Sequence, residues 1–273
     1  MTIHELIKAA IKEDMPYGDV TTESLAVKPK HGEAILKAKA DLVLSGSGLF
    51  EQTILFLEPN VKIKWLFEEG DFVYKDQTIC SIEGDLLQVL KAERVALNFL
   101  GHFSGIATLT RNFVKEVEGT KTKILDTRKT TPLFREFEKK AVVHGGGVNH
   151  RFNLSDAILI KDNHITLMGG ITKAVSRTRQ HSDLSLEVEA STLEQVKEAV
   201  SLRVNRILLD NMDNTTLTEA LKLVPDFVKT EASGNMSLER VRSVALLGVD
   251  FISVGALTHS APCADVSLLF DWG

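Results

Sequence analysis

Three segments of the sequence concentrate basic side chains that could bind an anionic small molecule. They are Asp126–Pro132 with Arg128 and Lys129, Gly145–Arg151 with His150 and Arg151, and Leu159–His164 with Lys161. Arginine suits carboxylates and phosphates because its planar guanidinium binds two oxygens at once. Taken alone, each segment is also compatible with an ordinary solvated loop. The chemistry therefore depends on whether the fold brings the three segments together.

Two carboxylates and two glycine-containing loops could complete such a site. Glu189 and Asp210 each end a short apolar stretch. Carboxylates beside an anion site can hold a divalent cation that bridges to phosphate, or can accept hydrogen bonds from ribose hydroxyls. Ser233-Gly234-Asn235 and Ser253-Val254-Gly255 precede predicted helix N-termini and could offer backbone N–H groups to a phosphate. These residues indicate an enzyme acting on a sugar phosphate and on a second, carboxylate-bearing substrate.

Charge and cysteine content exclude several other classes of protein. The 273 residues include 32 Lys and Arg against 37 Asp and Glu, a net charge of −5, which argues against non-specific binding to nucleic acid or anionic membranes. The two cysteines, Cys80 and Cys263, lie far apart, which indicates neither a disulfide framework nor a thiolate metal cluster. The N-terminus lacks the pattern of a secretory signal, and no charge-free run is long enough to span a bilayer. The sequence therefore predicts a soluble cytoplasmic protein.

The elements that must position these residues alternate between strand and helix. Short apolar strands are predicted at 124–127, 157–160, 186–189, 207–210, 228–233 and 251–255, with amphipathic helices at 171–179, 193–200, 217–224 and 238–247. Such alternation indicates a parallel sheet. Every predicted strand ends in a polar, charged or glycine residue. In a closed barrel all strand ends face one common opening, whereas an open sheet uses mainly the strand ends beside its switch point. The use of all six ends favours a closed barrel with six or more strands.

The two-residue period of a strand separates the acidic residues into two groups. Glu187 and Glu189 share one face of their strand, which in a barrel points inward because helices cover the outer face. The same phase predicts a buried charge network of Glu187, Arg206, Lys229 and Glu231. Buried charges must be paired, so Glu187 is interpreted as structural. Glu189, at the C-terminal end of its strand, is interpreted as functional.

The first part of the chain has a different pattern. A helix is predicted over residues 3–11, alternating strands near 33–39 and 61–65, and a long helix from Leu86 to Val117. This pattern predicts a small α+β domain over residues 1–105, which the C-terminal segment 264–273 could join. A barrel domain would then occupy residues 106–263.

An ordered set of motifs resembles the quinolinate phosphoribosyltransferase family. The matching segments are Glu13-Asp14 to Gly18-Asp19, Thr21-Thr22, Glu93-Arg94, Ala96 to Asn98, Ser104 to Thr108, Asp126 to Pro132, Gly145 to Arg151, Leu159 to His164, Glu187 to Glu189, Leu209 to Asn211, Glu231 to Gly234, and Ser253 to Leu257. Each motif alone is weak, but the ordered set covers most of the chain and is highly specific. The resemblance implies an α/β fold: an N-terminal α/β sandwich followed by an incomplete α/β barrel of about six strands.

The resemblance also implies a reaction. Phosphoribose passes from phosphoribosyl pyrophosphate to the quinolinate nitrogen, pyrophosphate and CO2 leave, and nicotinate mononucleotide forms for de novo NAD synthesis. Mg²⁺ is the implied cofactor, and a homodimer or a higher oligomer is the implied assembly.

Site residues carry over from the family by position. Arg128, His150, Arg151 and Lys161 match residues that hold the quinolinate carboxylates, within segments that also include Thr127. Lys129 matches a residue near the ribosyl donor. Glu189 and Asp210 match acids near ribose and Mg²⁺, which they would hold through substrate or water; with Lys129 they are the predicted catalytic residues. The 5′-phosphate cradle matches Ser233, Gly234, Asn235, Ser253, Val254 and Gly255. Arg94 matches an arginine that the family supplies across a dimer interface.

Two departures and three alternatives accompany this resemblance. Leu133 stands where the family usually has Gly, and Lys140 where it often has Tyr, and both lie beside the predicted site. A paralogue of the molybdenum-transport-associated type would use the same scaffold on another acceptor. A catalytically silent sensor of phosphometabolites is disfavoured by the presence of both Glu189 and Asp210. A plain sugar-phosphate isomerase barrel does not explain the N-terminal domain.

Overall fold

The computed structural model describes residues 2–272, which form two compact units. The first comprises the residues up to Arg111, Thr131–Gly146 and the residues from Ser260 onward, and the second comprises Asn112–Thr130 and Gly147–His259. These units differ from the expected domains 1–105 and 106–263, because residues 131–146 belong to the first unit and its boundary falls inside a long helix. Met1 and Gly273, at the ends of the expected domains, lie outside the described residues.

The helices and strands follow the chain in this order: α1 (Ile3–Asp14), α2 (Val20–Ser24), β1 (His31–Ala38), β2 (Leu42–Val43), α3 (Ser47–Leu57), β3 (Lys62–Trp65), β4 (Phe72–Val73), β5 (Thr78–Asp85), α4 (Leu86–Glu116), β6 (Lys123–Leu125), α5 (Arg135–His144), β7 (Ile158–Ile160), α6 (Asp162–Met168), α7 (Ile171–Arg179), β8 (Leu186–Ala190), α8 (Leu193–Ser201), β9 (Arg206–Asp210), α9 (Asn214–Leu223), β10 (Lys229–Ser233), α10 (Leu238–Ala245), β11 (Phe251–Ser253), α11 (Ala256–His259) and β12 (Val266–Asp271). None of the helices within residues 2–272 combines the length and the apolar character that a membrane span requires.

The first unit is built on an antiparallel sheet in the order β12-β1-β5-β3. The C-terminal strand β12 pairs with β1, with Leu268 opposite Leu36. Alternate residues of β1 are buried, as the two-residue period requires, and they pack with Ile82, Phe50 and Leu100 in one apolar core. The expected N-terminal sheet domain is therefore confirmed.

The second unit contains a six-stranded parallel sheet in the order β6-β11-β10-β9-β8-β7. All six strands predicted from the apolar runs are present, and the α/β class is confirmed. The closed barrel expected from the strand ends is wrong, because β6 and β7 are the two edges of the sheet. Beside β6, Val148 forms an isolated parallel bridge with Leu125, so a short irregular segment extends that edge. The sheet is thus an incomplete barrel, as the family resemblance implied.

Lys229 does not belong to the buried charge network. It begins β10, is exposed, and its Nζ lies 3.2 Å from Asp250 Oδ1. Asp250 also accepts hydrogen bonds from the backbone N–H and the hydroxyl of Thr230, at 3.0 and 2.9 Å. The lysine therefore takes part in an ion pair at the start of the strand, where its ammonium stays hydrated.

Replacing Asp250 with alanine is expected to lower the free energy of unfolding at neutral pH by about 2–3 kcal/mol, because the buried Thr230 loses its acceptor. Partial burial would raise the pKa of Asp250, but hydrogen bonds from Thr230 and Lys229 outweigh it and lower the pKa below its ordinary value of 3.8. The stabilisation is therefore present above pH 3.8 and is lost as the pH falls through the lowered value. Urea unfolding of the wild type and of Asp250→Ala between pH 7 and pH 3 measures the two free energies of unfolding. If the difference between them did not become smaller in acid, the prediction would be contradicted.

Candidate active site

One cavity of about 860 Å³ lies in the second unit at the C-terminal ends of its parallel strands. Parallel strands direct these ends to one edge of the sheet, so residues distant in sequence meet there. The cavity is lined by Thr127, Arg128, Lys129, His150, Arg151, Leu159, Lys161, Asp162, Glu189, Leu208, Asp210, Asn211, Glu231, Ser233, Gly234, Asn235, Met236, Ser253, Gly255, Ala256 and His259. All three basic segments therefore contribute to one cavity, together with both predicted carboxylates.

Arg128 and Arg151 form the most strongly cationic part of the cavity wall. The Arg128 Nε is buried and has no hydrogen-bond partner within residues 2–272. Burial lowers the pKa of Arg151, and the neighbouring charge of Arg128 lowers it further. Arg151 Nη1 donates to the carbonyl of Ala157 at 2.9 Å, which fixes its direction. Two adjacent guanidiniums with an unmatched buried donor are an arrangement that an anionic ligand would stabilise.

His150 is engaged by the protein at both ring nitrogens. The backbone N–H of Arg151 donates to Nδ1 at 2.7 Å, so the ring proton lies on Nε2, which is 3.2 Å from Glu187 Oε2 and 3.5 Å from Glu231 Oε2. Its own backbone N–H donates to Asp126 Oδ1 at 2.8 Å. His150 lines the cavity, and both of its ring nitrogens already have partners in the protein.

A charge cluster lies beneath this wall, made of the buried Glu187 and Glu231 and the half-buried His150 and Arg206. Arg206 Nη1 lies 2.8 Å from Glu231 Oε2, and its guanidinium stacks on the Phe251 ring at 4.4 Å. Burial, and next the charge of Glu187, raise the pKa of Glu231 to about 7. Burial opposes the charged form of His150, but the two carboxylates outweigh burial and raise its pKa. Apart from Lys229, the network predicted from strand alternation is present.

Lys161 is paired with a carboxylate, whereas Lys129 lies over a glycine-containing loop. Lys161 Nζ lies 3.1 Å from Glu189 Oε2, so this ammonium and this carboxylate are paired in the cavity wall. Lys129 is exposed, and its alkyl chain crosses Gly255: a Cβ at that glycine would lie 3.1 Å from Lys129 Cδ and 3.2 Å from His259 Nε2. The absence of a side chain at Gly255 therefore lets the lysine lie over this loop.

Asp210 is held by the residue that follows it. Asn211 Nδ2 donates to Asp210 Oδ2 at 2.7 Å, and the Asn211 backbone N–H donates to the Ser233 carbonyl at 2.9 Å. A Cβ at Gly234 would lie 2.2 Å from Asn211 Oδ1, which excludes any larger residue there without movement. Asn211 therefore joins the loop after β9 to the loop after β10.

The donors that could hold Mg²⁺ are Glu189 and Asp210. Both carboxylates line the cavity, and carboxylate oxygens are the ligands that this hard cation prefers. Lys161 contacts one carboxylate oxygen of Glu189, and Asn211 contacts one of Asp210. The two carboxylates therefore fit a cation whose other ligands are substrate oxygens or water. A second set, His150, Glu187 and Glu231, has ligand atoms within 4.8 Å of one another, but Arg206 already offsets its negative charge.

Two predicted site residues are not among those that line the cavity. Val254 is buried, and its N–H donates to the Leu125 carbonyl at 2.9 Å, so it has no donor left for a phosphate. The prediction that Val254 belongs to the phosphate cradle is not supported by this geometry. Arg94 lies on α4 in the first unit and is exposed.

Sequence reasoning missed several lining residues, chiefly Asn211, Met236, His259 and Asp162. Asn211 directly follows a predicted strand and adopts a positive φ of 53°. Asparagine tolerates that conformation better than most residues, and its position beside Asp210 is the one signal that could have identified it.

Two family models match the chain. The model of the quinolinate phosphoribosyl transferase C-terminal domain matches residues 106–269, and that of the N-terminal domain matches residues 19–104.

Full-length relatives and solved structures agree with these matches. A probable nicotinate-nucleotide pyrophosphorylase (carboxylating) of Bacillus subtilis is 38% identical over 270 residues, which cover 98% of this chain and 93% of the relative. A chloroplastic nicotinate-nucleotide pyrophosphorylase (carboxylating) of Arabidopsis thaliana is 39% identical and covers 97% of this chain and 82% of its own length. The crystal structure of nicotinate-nucleotide pyrophosphorylase from Ehrlichia chaffeensis superposes with a TM-score of 0.95, at 39% identity and 99% coverage of both chains.

Proposed function

This chain belongs to the quinolinate phosphoribosyltransferase family, and we propose that its cavity carries out the reaction of that family. The enzyme transfers phosphoribose from phosphoribosyl pyrophosphate to quinolinate and releases pyrophosphate and CO2. The product is nicotinate mononucleotide, a precursor of NAD. The observation that carries the proposal is the convergence of Arg128, Arg151 and Lys161 in the cavity that also contains Glu189 and Asp210.

The cationic wall suits an acceptor with two carboxylates. Arg128 offers an unmatched buried Nε, and Arg151 lies beside it with its direction fixed by Ala157. These groups would bind one carboxylate of quinolinate, and Lys161 would bind the other by exchanging its contact with Glu189. Binding both carboxylates orients the ring nitrogen toward the ribose.

Group transfer then needs positioning and charge stabilisation rather than covalent catalysis by the protein. The bond from ribose C1′ to the pyrophosphate oxygen breaks, the pyrophosphate keeps the electron pair, and the pyridine nitrogen bonds to C1′. Glu189 and Asp210 would stabilise the positive charge that develops on the ribose, and Lys129 would offset charge on the leaving pyrophosphate. Mg²⁺, held by Glu189 and Asp210 through substrate or water, would supply further neutralisation of that leaving group.

Decarboxylation follows from the new positive charge on the ring. Once the nitrogen is alkylated, the pyridinium stabilises the electron pair that remains on C2 when CO2 leaves, and C2 then takes a proton.

An acceptor panel tests the proposed function. The protein is incubated with phosphoribosyl pyrophosphate, Mg²⁺ and either quinolinate, nicotinate or no acceptor, and pyrophosphate release is measured. We expect release with quinolinate only. Release with nicotinate but not quinolinate would support the paralogous scaffold with another acceptor, and release with neither would support the sensor.

A homodimer that completes the site is a further part of the proposal. Arg94 is exposed on α4 of the single chain and occupies the position at which the family supplies an arginine to the partner. Arg94→Ala and Arg151→Ala are each expected to abolish most activity. After the two variants are unfolded and refolded together, about a quarter of wild-type activity should return, because half the dimers are mixed and each has one intact site. No recovery, with mixed dimers verified by mass, would contradict the shared site.

A cytoplasmic location remains a proposal. Cell fractionation followed by the quinolinate assay tests it.

A further inference from the structure

Arg240 joins two loops of the cavity from outside. It lies on α10 and is not one of the residues that line the 860 Å³ cavity. Its Nη1 donates to the Gly234 carbonyl at 3.0 Å, and its Nη2 donates to the Met212 carbonyl at 2.6 Å. One guanidinium therefore fixes the loop after β9 and the loop after β10 at the same time.

The backbone of these loops is in conformations that need such support. Asn211, Gly234 and Asn235 have positive φ values of 53°, 98° and 50°. A residue other than glycine in this region costs roughly 1 kcal/mol or more, so surrounding contacts must hold it. Asn235 Nδ2 lies 3.5 Å from Asn211 Oδ1, a long contact that contributes little alone. The Asn211 backbone hydrogen bond to the Ser233 carbonyl, at 2.9 Å, and the two hydrogen bonds of Arg240 are the shorter links.

The contact with Gly234 also determines where a backbone donor points. A trans peptide is planar, so the Asn235 N–H points opposite to the Gly234 carbonyl. That carbonyl faces Arg240, outside the cavity, while Gly234 and Asn235 both line the cavity. No hydrogen bond from the Asn235 N–H is found within residues 2–272. The donor is therefore available to a ligand on the cavity side.

We propose that Arg240 is a positioning residue for phosphate binding: by holding the Gly234 and Met212 carbonyls, it directs the Asn235 N–H at the 5′-phosphate of the ribosyl donor. The inference rests on the proposed function, which brings a phosphate to this wall. Successive backbone donors in left-handed conformation bind anions in this way. Without Arg240 the peptide between Gly234 and Asn235 can rotate, and the Asn235 N–H no longer points in one direction.

The same helix supplies a matched control. Arg242 Nη1 donates to the carbonyls of Glu116 and Glu118, at 3.0 and 2.6 Å. Arg240 and Arg242 thus each bind two backbone carbonyls from α10, but Arg242 is exposed, uses Nη1 alone, and its contacts lie away from the cavity residues. Urea unfolding gives the stability loss of each variant separately, and a loss of phosphate positioning would affect only the Arg240 variant.

Ribose 5-phosphate serves as a probe because it carries the 5′-phosphate without pyrophosphate. Its inhibition constant and the KM for phosphoribosyl pyrophosphate are measured for the wild type, Arg240→Met and Arg242→Met, together with quinolinate affinity by calorimetry and urea unfolding. For Arg240→Met, we expect both phosphate-dependent constants to rise roughly tenfold, as the loss of a charged hydrogen bond would give. Quinolinate affinity should stay unchanged, and Arg242→Met should leave all three constants unchanged.

Arg240→Lys keeps the proposal testable if the methionine variant does not fold. A single ammonium cannot reproduce the fork that reaches both carbonyls, so the constants should rise by an intermediate factor. A folded Arg240 variant with unchanged inhibition by ribose 5-phosphate would overturn the proposal, as would equal losses in the Arg242 variant. Failure of the proposed function looks different, because the wild type itself would then release no pyrophosphate with quinolinate.

Discussion

Replacing Arg151 with alanine should weaken quinolinate binding roughly thirtyfold or more, while binding of phosphoribosyl pyrophosphate changes far less. Removing one partner of a desolvated charge pair costs about 2–5 kcal/mol, and each 1.4 kcal/mol is a factor of ten. Arg151 lies beside the buried, unmatched Nε of Arg128, so its loss removes half of the carboxylate-binding pair. Calorimetry with each substrate separately measures the two affinities.

Two further variants sharpen this experiment. Arg151→Lys should recover little affinity, because an ammonium cannot bind two carboxylate oxygens in the plane of a guanidinium. Arg177→Ala is the control, since Arg177 lies on α7, its Nη1 donates to Gln180 Oε1 at 3.2 Å, and it does not line the cavity. Equal losses for both substrates in Arg151→Ala would contradict the assignment of this wall to quinolinate.

Replacing Glu231 with alanine should lower the free energy of unfolding by about 3 kcal/mol, because it removes the carboxylate that pairs with the half-buried Arg206 and faces His150. Arg206 loses the carboxylate 2.8 Å from its Nη1, and His150 loses one of the two that face its Nε2. Urea unfolding at pH 7 measures the loss. Glu219→Ala, on the exposed face of α9, should change it by less than about 0.5 kcal/mol. A similarly small effect of Glu231→Ala would show that the cluster is not energetically coupled.

Glu231 also determines how stability responds to pH. Its pKa in the folded protein is raised to about 7, mainly by burial, above the ordinary 4.5. The folded state therefore binds a proton that the unfolded state does not, and stability falls as the pH rises from about 4.5 to about 7. The raised pKa of His150 acts in the same direction above 6.5. Glu231→Gln should remove the contribution of Glu231 to this pH dependence, so that the free energy of unfolding changes less with pH.

Strand periodicity predicted much of the cavity, because side chains alternate strictly between the two faces of a strand. That rule correctly grouped Glu187, Arg206 and Glu231 on the inner face, and the register indeed places Glu187 opposite Arg206. It failed for Lys229 because periodicity gives the face but not the position along the strand. Lys229 is the first residue of β10 and reaches solvent.

Three of the four helices predicted between the parallel strands begin at the predicted residue, whereas α9 begins at Asn214, three residues before the predicted start. Thr192 caps α8 by accepting a hydrogen bond from the Gln195 N–H. At α9 the cap is Asp213, which accepts from the Thr216 N–H, and Asn214 follows it as the first helical residue. Adjacent Asp and Asn have nearly equal cap preference, so the sequence alone does not separate them.

Closure of the sheet and the contacts of His150 could not be predicted from residue types. Whether β6 and β7 pair depends on the geometry of the whole sheet, which short apolar runs do not encode. A histidine beside an arginine predicts a cationic site, but only the fold shows that Glu187 lies 3.2 Å from its Nε2. The proposed role of Arg94 across a subunit interface is equally beyond residue types, because a contact between two subunits leaves no pattern within one chain.

Quinolinate labelled with ¹³C in its 2-carboxylate provides the most direct measurement. Incubated with the protein, phosphoribosyl pyrophosphate and Mg²⁺, it should yield labelled CO2, pyrophosphate and unlabelled nicotinate mononucleotide in equal amounts, detected by mass. Pyrophosphate without labelled CO2, or no turnover by a folded protein that binds quinolinate, would contradict the assignment of this cavity to decarboxylating phosphoribosyl transfer.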